Sequence, residues 1–534
     1  MLGLGKQSSR GDLCFSYNEG SGKTSELSLS YLRNGVLTSL IDFPLWLRVS
    51  HLINVIFITL LIRSGIEILS AHPKLYTNDK AIDGKEWIKF SRKKMPKDRL
   101  WTSTDEETKF SSWIALPGRS NLGLGRHWHF FSIIFWIANG VAYYILVFAT
   151  GLWQTLIPTS WSIFPEALKA SLGMLSGQLP TPPPGSLFDP IQQLSYAGVI
   201  FILGPLMLLT GSAMSPAVGA RFPWYPKIFR GRQVARSIHF LCLIAFILFI
   251  IAHTVFVVID GFQSNMSNII LGGGEVSLAT ATIFILLYFI AVVVIHVWAT
   301  EHSLLRPRQI QVGLGRVIEP LRHTLFGRVV SRENFNESEI TPYFRVNGRP
   351  PKTEEYSILK DGGFANWSLR VYGLVEKELS LSLQDIRNLK RETQITEHSC
   401  IQGWTAIGKW SGISLAFLMG LCRPKSNAKY VVFHSLGTGE RDVYGHGEPT
   451  KEYYEVIGIE LAKHHQTILA YEMNGEPLSV EHGAPLRLRV ETQLGFKMVK
   501  WLRSVEFVED YRSIYDGQGG YREDVSYYGI GASI

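Results

Sequence analysis

Long apolar runs separated by polar segments dominate the first 300 residues of this 534-residue chain. Five of the runs reach the length of about 20 residues that a helix needs to cross roughly 30 Å of hydrocarbon. The pattern therefore predicts five membrane-spanning helices, near residues 45–70, 130–152, 193–213, 237–260 and 277–299. The third run contains Pro205, which a packed bundle of helices tolerates.

Beyond residue 340 the pattern changes to short apolar runs separated by turn residues. Strands are predicted for WSLRVYGLV, AKYVVFHSL, TILAYEM, LRLRVET and VKWLRSVEFV, with turns at NGEP and EHGAP. We therefore expect a membrane all-α bundle followed by an α+β soluble domain. The expected boundaries are a polar tail at 1–42, the membrane domain at 43–304, a linker at 305–340 and the soluble domain at 341–534.

Composition agrees with a membrane protein. Charged residues make up 18% of the chain, below the roughly 25% of an average soluble protein, and the mean hydropathy is +0.10. The net charge of +8 lies largely beside the apolar runs, which favours contact with membrane lipid over nucleic acid. The four cysteines form no CxxC or CxxCH motif, which excludes a zinc ribbon, an iron–sulfur cluster and a covalently attached haem.

Basic residues are unevenly distributed among the connecting loops. Lys and Arg number 12 in residues 72–126 and five in 214–236, but only one in 153–194 and none in 261–276. Because basic loops favour the cytoplasm, this predicts a multi-pass protein of the inner (plasma) membrane with a cytoplasmic carboxyl domain. The first 30 residues show no apolar core of a secretion signal.

Histidines inside the apolar runs are the first candidates for chemistry, because ionisable side chains are costly in hydrocarbon. His239 and His253 are 14 residues apart in the fourth run. This is nearly four helical turns, so both lie on one face, about 21 Å apart. His51 lies near the start of the first run and His129 near the start of the second. Alternating helix directions place His129 opposite His239 and His51 opposite His253, whichever way the protein is inserted.

Histidines in a bundle can also serve only as hydrogen-bonding partners, and for one isolated histidine that interpretation is preferred. Four histidines at matching depths favour two stacked metal sites instead. His127 remains an alternative to His129, which lies deeper in the second run. His296, near the end of the fifth run, could replace one of the ligands.

The RVSH motif, the WHF of the second run and the His-x13-His of the fourth resemble bacterial cytochrome b561 and the b-type cytochrome subunits of nickel–iron hydrogenases. The resemblance covers residues 43–300. It implies two haem b groups and electron exchange between quinone and a peripheral catalytic unit. The first-span histidine of those families usually lies on the cytoplasmic side, opposite to the loop-charge prediction, so the side of the soluble domain stays open. The implied iron ligands are His51, His253, His129 and His239.

Cys400, in TEHSCIQGW, follows a predicted strand. A thiolate suits a transition metal, although a single cysteine is more often a core residue. The segment from TILAYEMNG through EHGAPLRLRV to VKWLRSVEF resembles the molybdopterin-binding core of the sulfite-oxidase family, and the similarity covers residues 333–510. It implies Mo-molybdopterin, with Cys400 as the molybdenum ligand and catalytic residue. The implied pterin contacts are His482, Arg487, Met498, Val499, Lys500, Asn347, Ser435 and Asn336.

The chain departs from sulfite-oxidising members of that family at two places. They have FVRNH where this chain has FRVNG, so Val346 occupies the position of the anion-binding arginine and Arg345 precedes it. Neighbouring residues of a strand point to opposite faces, so Arg345 is not a simple replacement. Gln402 stands after Cys400 in place of a basic pair. Both departures disfavour sulfite as substrate.

These features predict a membrane-bound molybdenum oxidoreductase. Electrons would pass from quinone through the His51/His253 haem and the His129/His239 haem to molybdenum at Cys400. The favoured reaction is reduction of an S-oxide or N-oxide, with a small oxo-compound or oxidised methionine as substrate. One alternative is a sulfite-oxidase-like dehydrogenase that donates electrons to the membrane. The other is a non-catalytic haem electron-transfer module with a docking domain.

Overall fold

The computed structural model describes residues 43–95, 98, 100–184, 186–274, 276–438, 452–512, 514 and 534. Five of its helices are long and apolar enough to cross a membrane, which confirms the predicted all-α membrane domain. The second, third and fourth helices begin at residues 122, 190 and 232, earlier than the predicted 130, 193 and 237. In the second and fourth, the added residues include Arg126 and Arg232, which are charged and lie outside the apolar runs. Spans 1 to 5 are Leu45–Ala71, Leu122–Ala149, Pro190–Ala213, Arg232–Ile259 and Leu278–Leu305.

Span 3 contains a π-helical segment, Gly198–Leu203, directly before Pro205. Proline has no N–H to donate to the residue four positions earlier, and its ring clashes with that carbonyl. A wider π turn is a common way to absorb this mismatch inside a helix. The Tyr144 hydroxyl of span 2 donates to the Ile200 carbonyl, so a neighbouring span stabilises the irregular segment.

Spans 1 and 2 are joined by residues 72–121, termed here the first inter-span loop. It contains a short antiparallel pair, β1 (Lys74–Leu75) and β2 (Ile88–Lys89), and a 3-10 turn at Ser103–Glu106. The remaining short helices of the membrane domain are Trp153–Leu156, Ile163–Leu175, Pro216–Arg221, Trp224–Ile228 and Phe262–Leu271.

The segment predicted as a linker at 305–340 contains a helix, Pro307–Phe326. Proline at its first position is favourable, because the N–H that it lacks has no intrahelical partner there. Leu314 and Ile318 pack on Leu60 and Trp128 of spans 1 and 2. The linker is therefore partly an amphipathic helix docked on the membrane bundle, which its basic composition concealed.

The soluble domain contains two five-stranded sheets, which confirms the predicted α+β class. All five predicted strands are present, at Ser368–Gly373 (β3), Tyr430–Thr438 (β7), Thr467–Met473 (β9), Arg487–Val490 (β11) and Leu502–Val508 (β12). The additional strands are Leu379–Ser382 (β4), Arg391–Ser399 (β5), Thr405–Ser414 (β6), Glu452–Gly458 (β8) and Glu476–Pro477 (β10).

One sheet has the order β4-β3-β12-β7-β8, and the other has the order β10-β9-β6-β5 with β11 also paired to β9. Most neighbours are antiparallel, and β12 pairs with β3 in parallel. Helices accompany the sheets at Glu354–Asp361, Leu383–Asn388, Leu415–Cys422 and Ile459–Ala462, with 3-10 turns at Glu337–Glu339 and Gly495–Lys497. The apolar core between the sheets includes Leu369, Val371, Phe433, Leu488 and Val505.

The two domains meet over a buried surface. Ala71 at the end of span 1 and Leu122 at the start of span 2 share an apolar cluster with Cys400, Ile401 and Trp404 of the soluble domain. The turn that carries Cys400 therefore lies directly on the membrane domain.

One buried histidine of the soluble domain makes its stability depend on pH. His434 on β7 forms ion pairs with Glu506 at 2.8 Å and with Glu452 at 3.4 Å. Burial alone would lower the pKa of His434, but these two carboxylates raise it from 6.5 to about 9. The pKa is higher in the folded state, so this stabilisation is complete below about pH 6.5 and is lost as the pH rises through about 9.

We predict that the unfolding midpoint of the detergent-solubilised protein falls between pH 6.5 and pH 10, with a loss on the order of 1–3 kcal/mol from His434. Thermal unfolding followed by circular dichroism measures this slope. The His434→Gln variant is less stable at pH 6.5 and has a flatter pH profile. An unchanged slope in that variant would show that other groups cause the dependence.

Candidate functional site

His51 and His253 face each other across spans 1 and 4. Their ring centroids are 6.2 Å apart and their planes are inclined by 55°. An iron bound to one nitrogen of each ring at about 2 Å would hold the centroids roughly 6 Å apart. Phe249 stacks on His253 and Tyr196 meets its edge. The two rings are therefore spaced as axial ligands of one iron would be.

His129 of span 2 and His239 of span 4 form the second predicted pair, and each ring bonds to a hydroxyl group of a neighbouring span. Nδ1 of His129 bonds to the Ser64 hydroxyl at 3.1 Å, and Nδ1 of His239 bonds to the Thr210 hydroxyl at 3.0 Å. Each hydroxyl also donates to a carbonyl in its own helix, so it accepts from the imidazole. This keeps the ring proton on Nδ1 and leaves Nε2 as the nitrogen that can bind iron.

His127 and His296, the two alternatives that the sequence left open, lie outside both pairs. His127 is buried, and its Nδ1 bonds to the Gly123 carbonyl at 2.8 Å. Both ring nitrogens of His296 have partners, Thr59 at 2.9 Å and Arg63 at 2.8 Å. In this arrangement neither histidine is positioned as an iron ligand.

Cys400 lies in the turn between β5 and β6, where its amide donates to the Trp404 carbonyl at 3.0 Å. Its side chain is buried, with Sγ 4.0 Å from Asn347 Nδ2 and 3.7 Å from Gln402 Oε1. Burial raises the pKa of the thiol to about 12. A bound metal cation would favour the thiolate despite this burial. Among the described residues no group of three His, Cys, Asp or Glu side chains could hold a metal.

Arg487 is a buried cation with an incomplete set of partners. Its Nη1 donates to the His482 carbonyl at 2.8 Å, and its guanidinium lies 4.8 Å from the centroid of the Trp410 ring. Its Nε has no acceptor among the described residues. Glu491, which acts on it electrostatically, is already paired with Arg489. Burial and Arg489 lower the pKa of Arg487 well below its usual value. An anion such as a pterin phosphate would supply the missing charge and acceptor.

Lys500, Asn347 and Ser435 lie together beside this position. Lys500 Nζ donates to the Asn347 carbonyl at 2.5 Å and to the Glu481 carbonyl at 2.8 Å. The Ser435 hydroxyl donates to the Lys500 carbonyl at 2.9 Å. The carbonyl that Lys500 binds thus belongs to the residue beside Sγ of Cys400, which links the predicted pterin contacts to the predicted metal ligand.

Met498 and Val499 are buried in the turn before β12, where Val499 accepts from the Leu488 amide at 2.8 Å. Asn336 differs from the other predicted pterin contacts, because it is exposed and its side chain bonds to Glu339. None of the hydrogen bonds described for Asn336 reaches the group around Cys400. The structure therefore brings together the predicted contacts except Asn336, whose role stays a prediction.

Arg345, the residue before the position of the anion-binding arginine, is already neutralised. It pairs with Glu106 and, at 2.9 Å, with Asp83, and it donates to the Tyr76 hydroxyl at 2.9 Å. Burial alone would lower the pKa of Arg345, but Glu106, Tyr76 and Asp83 raise it. Arg345 is therefore a fixed structural cation that offers no free charge to a substrate anion.

Gln233, Ser103 and Glu107 of the membrane domain contact residues around Cys400, and none of these contacts was predicted from the sequence. Gln233 Nε2, in the first turn of span 4, donates to the Gly403 carbonyl at 2.9 Å. Ser103 Oγ donates to Asn347 Oδ1 at 3.1 Å, and Glu107 accepts from Gln402 Nε2 at 2.8 Å. Their partners lie 170 to 295 residues away along the chain, so no local motif could have found these contacts.

Comparison with known proteins identifies both domains. The model of the family described as prokaryotic cytochrome b561 matches residues 42–272. The model of the oxidoreductase molybdopterin binding domain matches residues 357–515. These matches support haem b in the membrane domain and Mo-molybdopterin in the soluble domain.

Curated relatives match one part of the chain at a time. A putative protein-methionine-sulfoxide reductase subunit YedZ1 from Azospira oryzae is 31% identical over 199 residues, which are 37% of this chain and 67% of that protein. The protein-methionine-sulfoxide reductase catalytic subunits MsrP of Xanthomonas campestris pv. campestris and Campylobacter jejuni subsp. jejuni are 34% and 32% identical, each over 30% of this chain. The chain spans about half the length of these catalytic subunits, 50% and 54%.

Among solved structures, the sulfane dehydrogenase SoxCD from Paracoccus pantotrophus overlaps 28% of this chain and 40% of its own, at 23% identity and a TM-score of 0.24, too low to support an argument. The two family models and the YedZ1 relative carry the assignment. The chain therefore belongs to the family of membrane-linked molybdopterin oxidoreductases, with a prokaryotic cytochrome b561 domain and a molybdopterin-binding oxidoreductase domain joined in one polypeptide.

Proposed function

We propose that this protein reduces an S-oxide with electrons taken from quinol in the membrane. Quinol oxidation yields quinone, two protons and two electrons, and the S-oxide consumes two electrons and two protons to give a sulfide and water. The two half-reactions add up to a balanced reaction, in which quinol and the S-oxide give quinone, the sulfide and water. The relatives named as protein-methionine-sulfoxide reductase subunits make methionine sulfoxide the first substrate to test.

The observation that carries this proposal is the contact between span 4 and the Cys400 turn. Gln233 bonds to Gly403, and Arg232 donates to Ser399 Oγ at 3.2 Å, directly beside Cys400. His239 follows Gln233 by six residues, which is about 9 Å along a helix. Span 4, which bears one histidine of each pair, therefore contacts the Cys400 turn with its amino-terminal end.

Bound molybdenum would supply the oxygen-atom-transfer chemistry, and the chain supplies binding and electrostatics. Cys400 would hold the metal, and Arg487 would pair with the pterin phosphate. Burial and Arg487 lower the pKa of His482 to about 4, so its ring is neutral at pH 7. Its Nε2–H donates to the Phe344 carbonyl at 3.2 Å, which fixes the segment that continues to Asn347.

A cavity beside His253 is our proposed entry point for quinol. Its volume is about 140 Å³, and its wall includes Tyr196, Gln192 and Asp260 among apolar side chains. Burial and Asp189 raise the pKa of Asp260 above its usual value. A carboxylate of this kind can accept a proton released by quinol beside the first haem.

The first alternative, sulfite oxidation, requires cationic groups that face the substrate. Arg345 is committed to Glu106 and Asp83, and Gln402 replaces the basic pair. The second alternative, a docking domain without a cofactor, does not account for the buried and incompletely bonded Arg487. N-oxides share the uncharged oxo group of S-oxides and remain a second substrate class to screen.

The direct test uses the holoenzyme in vesicles that contain a reduced quinone. We expect methionine sulfoxide to oxidise the haems and sulfite to leave them unchanged. In the Cys400→Ser variant quinol still reduces the haems, but the S-oxide no longer oxidises them. Reduction of the haems by sulfite in the wild type would instead support the dehydrogenase.

A second prediction concerns the haem ligands. We expect two b haems per chain, and loss of one of them in His239→Ala and in His253→Ala, because each variant removes one axial ligand. The control His127→Ala retains both, since Nδ1 of His127 bonds to the Gly123 carbonyl of its own helix. Pyridine haemochrome content and redox titration measure the result. Loss of haem in the control with retention in His239→Ala would reassign the ligand.

A third prediction concerns electron transfer between the domains. Gln233→Ala removes a buried hydrogen bond worth on the order of 1 kcal/mol, which loosens the Cys400 turn from span 4. Oxidation of pre-reduced haem by S-oxide then slows by roughly fivefold to tenfold, while reduction of haem by quinol is unchanged. Stopped-flow spectroscopy separates the two steps. Gln193→Ala is a matched control, because Gln193 donates to the Thr155 carbonyl at the opposite end of the bundle. Equal rates in both variants would contradict the path.

A further inference from the structure

A groove lies at the junction between span 5 and the helix that follows it, and its volume is about 640 Å³. Arg306, Arg308 and Arg316 line this groove, and the described residues of its wall include no carboxylate. Leu305 and Val312 line it too, and they are 77% and 44% exposed. The basic groove, as these five residues are termed here, therefore combines three cationic groups with an exposed apolar surface.

Aromatic residues place the basic groove at the depth of the lipid head groups. Trp298 of span 5 is exposed, stacks on His302 with ring centroids 5.0 Å apart, and meets Trp128 of span 2 edge-on. Tryptophan side chains concentrate at the boundary between hydrocarbon and head groups. Arg306 follows Trp298 by eight residues, which is about 12 Å along a helix. The groove therefore lies just outside the hydrocarbon, on the side of the soluble domain.

The charge of the basic groove is positive. The carboxylates that flank it in the chain, Glu301 and Glu319, are not among the residues that line it, and Glu319 pairs with Arg322 at 2.7 Å. The first turn of the Pro307–Phe326 helix adds partial positive charge, because no side chain caps the amides there. Charge complementarity therefore favours an anion as the ligand.

We propose that the basic groove binds the phosphate head group of an anionic phospholipid. Cationic side chains at this depth attract negatively charged lipid, and three of them converge on one groove. Leu305 and Val312 offer an apolar surface to the acyl chains, which favours a lipid over a soluble phosphate. The site is separate from the cavity proposed for quinol, which lies beside His253 at the other end of the bundle.

This lipid site lies on the connection between the two domains. Leu314 and Ile318 of the Pro307–Phe326 helix pack on spans 1 and 2, and the Phe326 ring lies 5.2 Å from the Arg221 guanidinium. A phospholipid at the amino-terminal end of the helix adds to the contacts that keep the helix on the bundle. Because the lipid binds only the folded arrangement of the groove, its binding also stabilises the protein.

The binding test titrates the delipidated holoenzyme in neutral detergent with short-chain phosphatidylglycerol or phosphatidylcholine, followed by native mass spectrometry. We expect at least about tenfold tighter binding of phosphatidylglycerol, and roughly fivefold weaker binding of it in Arg316→Gln, because one cationic contact is lost. Glutamine has nearly the same helix propensity as arginine, so the helix is retained. Arg328→Gln is the matched control, since it removes an equal charge outside the groove and keeps the affinity of the wild type.

Equal affinities of Arg316→Gln and Arg328→Gln for phosphatidylglycerol would overturn the proposal, and so would equal affinities of the wild type for the two lipids. Displacement of phosphatidylglycerol by an excess of inorganic phosphate would show that the groove takes soluble anions, which contradicts a lipid as its ligand.

A stability measurement tests the same site in a bilayer. The unfolding midpoint of the wild-type protein is compared in nanodiscs of phosphatidylcholine alone and in nanodiscs that also contain phosphatidylglycerol. We expect the anionic lipid to raise the midpoint in the wild type and in Arg328→Gln, and to raise it less in Arg316→Gln. The same rise in all three proteins would show that the lipid acts elsewhere on the surface.

Discussion

A buried ion cluster holds the soluble domain against the membrane domain, and the candidate sites depend on it. Glu106 and Asp83 of the first inter-span loop bind Arg345 of the soluble domain, with Lys74 completing the cluster. Removal of one partner from such a cluster leaves an uncompensated buried charge, which typically costs about 3–5 kcal/mol. The loop therefore cannot separate from the Cys400 turn without a large penalty. This constraint explains how one polypeptide can place a membrane helix and a metal-binding cysteine in fixed contact.

Span 4 connects the docked soluble domain with both histidine pairs. The Asp79 carboxylate of the first inter-span loop accepts from the Arg232 and Gln233 amides, so the same loop that docks the soluble domain also caps the helix. His239 and His253 then follow on one helix, whose internal hydrogen bonds keep their spacing constant. A shift of the soluble domain would move its contact at Gln233, while the two histidine levels would keep their separation. The position of the soluble domain therefore affects electron transfer between the domains, but it does not affect the distance between the two proposed haems.

The sequence predicted the elements whose signals are local. Span positions followed from apolar length, the histidine pairs followed from helical spacing and alternating direction, and Cys400 followed from a motif. Strand β6 was missed because Gly408, Lys409 and Ser411 interrupt the alternation of apolar residues, and β5 was expected only as a strand of unstated bounds before Cys400. The Pro307–Phe326 helix was missed because its apolar stripe is narrow beside its arginines. Gln233 and Glu107 could not be found at all, since their roles arise only when segments distant in the chain pack together.

The same packing changes what the loop charges mean. Arg232 pairs with Glu397 of the soluble domain. Lys227 pairs with Glu333, and Arg221 donates to the Phe326 and Arg328 carbonyls, in the segment that leads into that domain. In the first loop, Lys74 is committed to the buried cluster. These basic residues were counted as signals of cytoplasmic location, but their partners are protein groups and not lipid or solvent. The charge bias therefore identifies the loops that face the soluble domain.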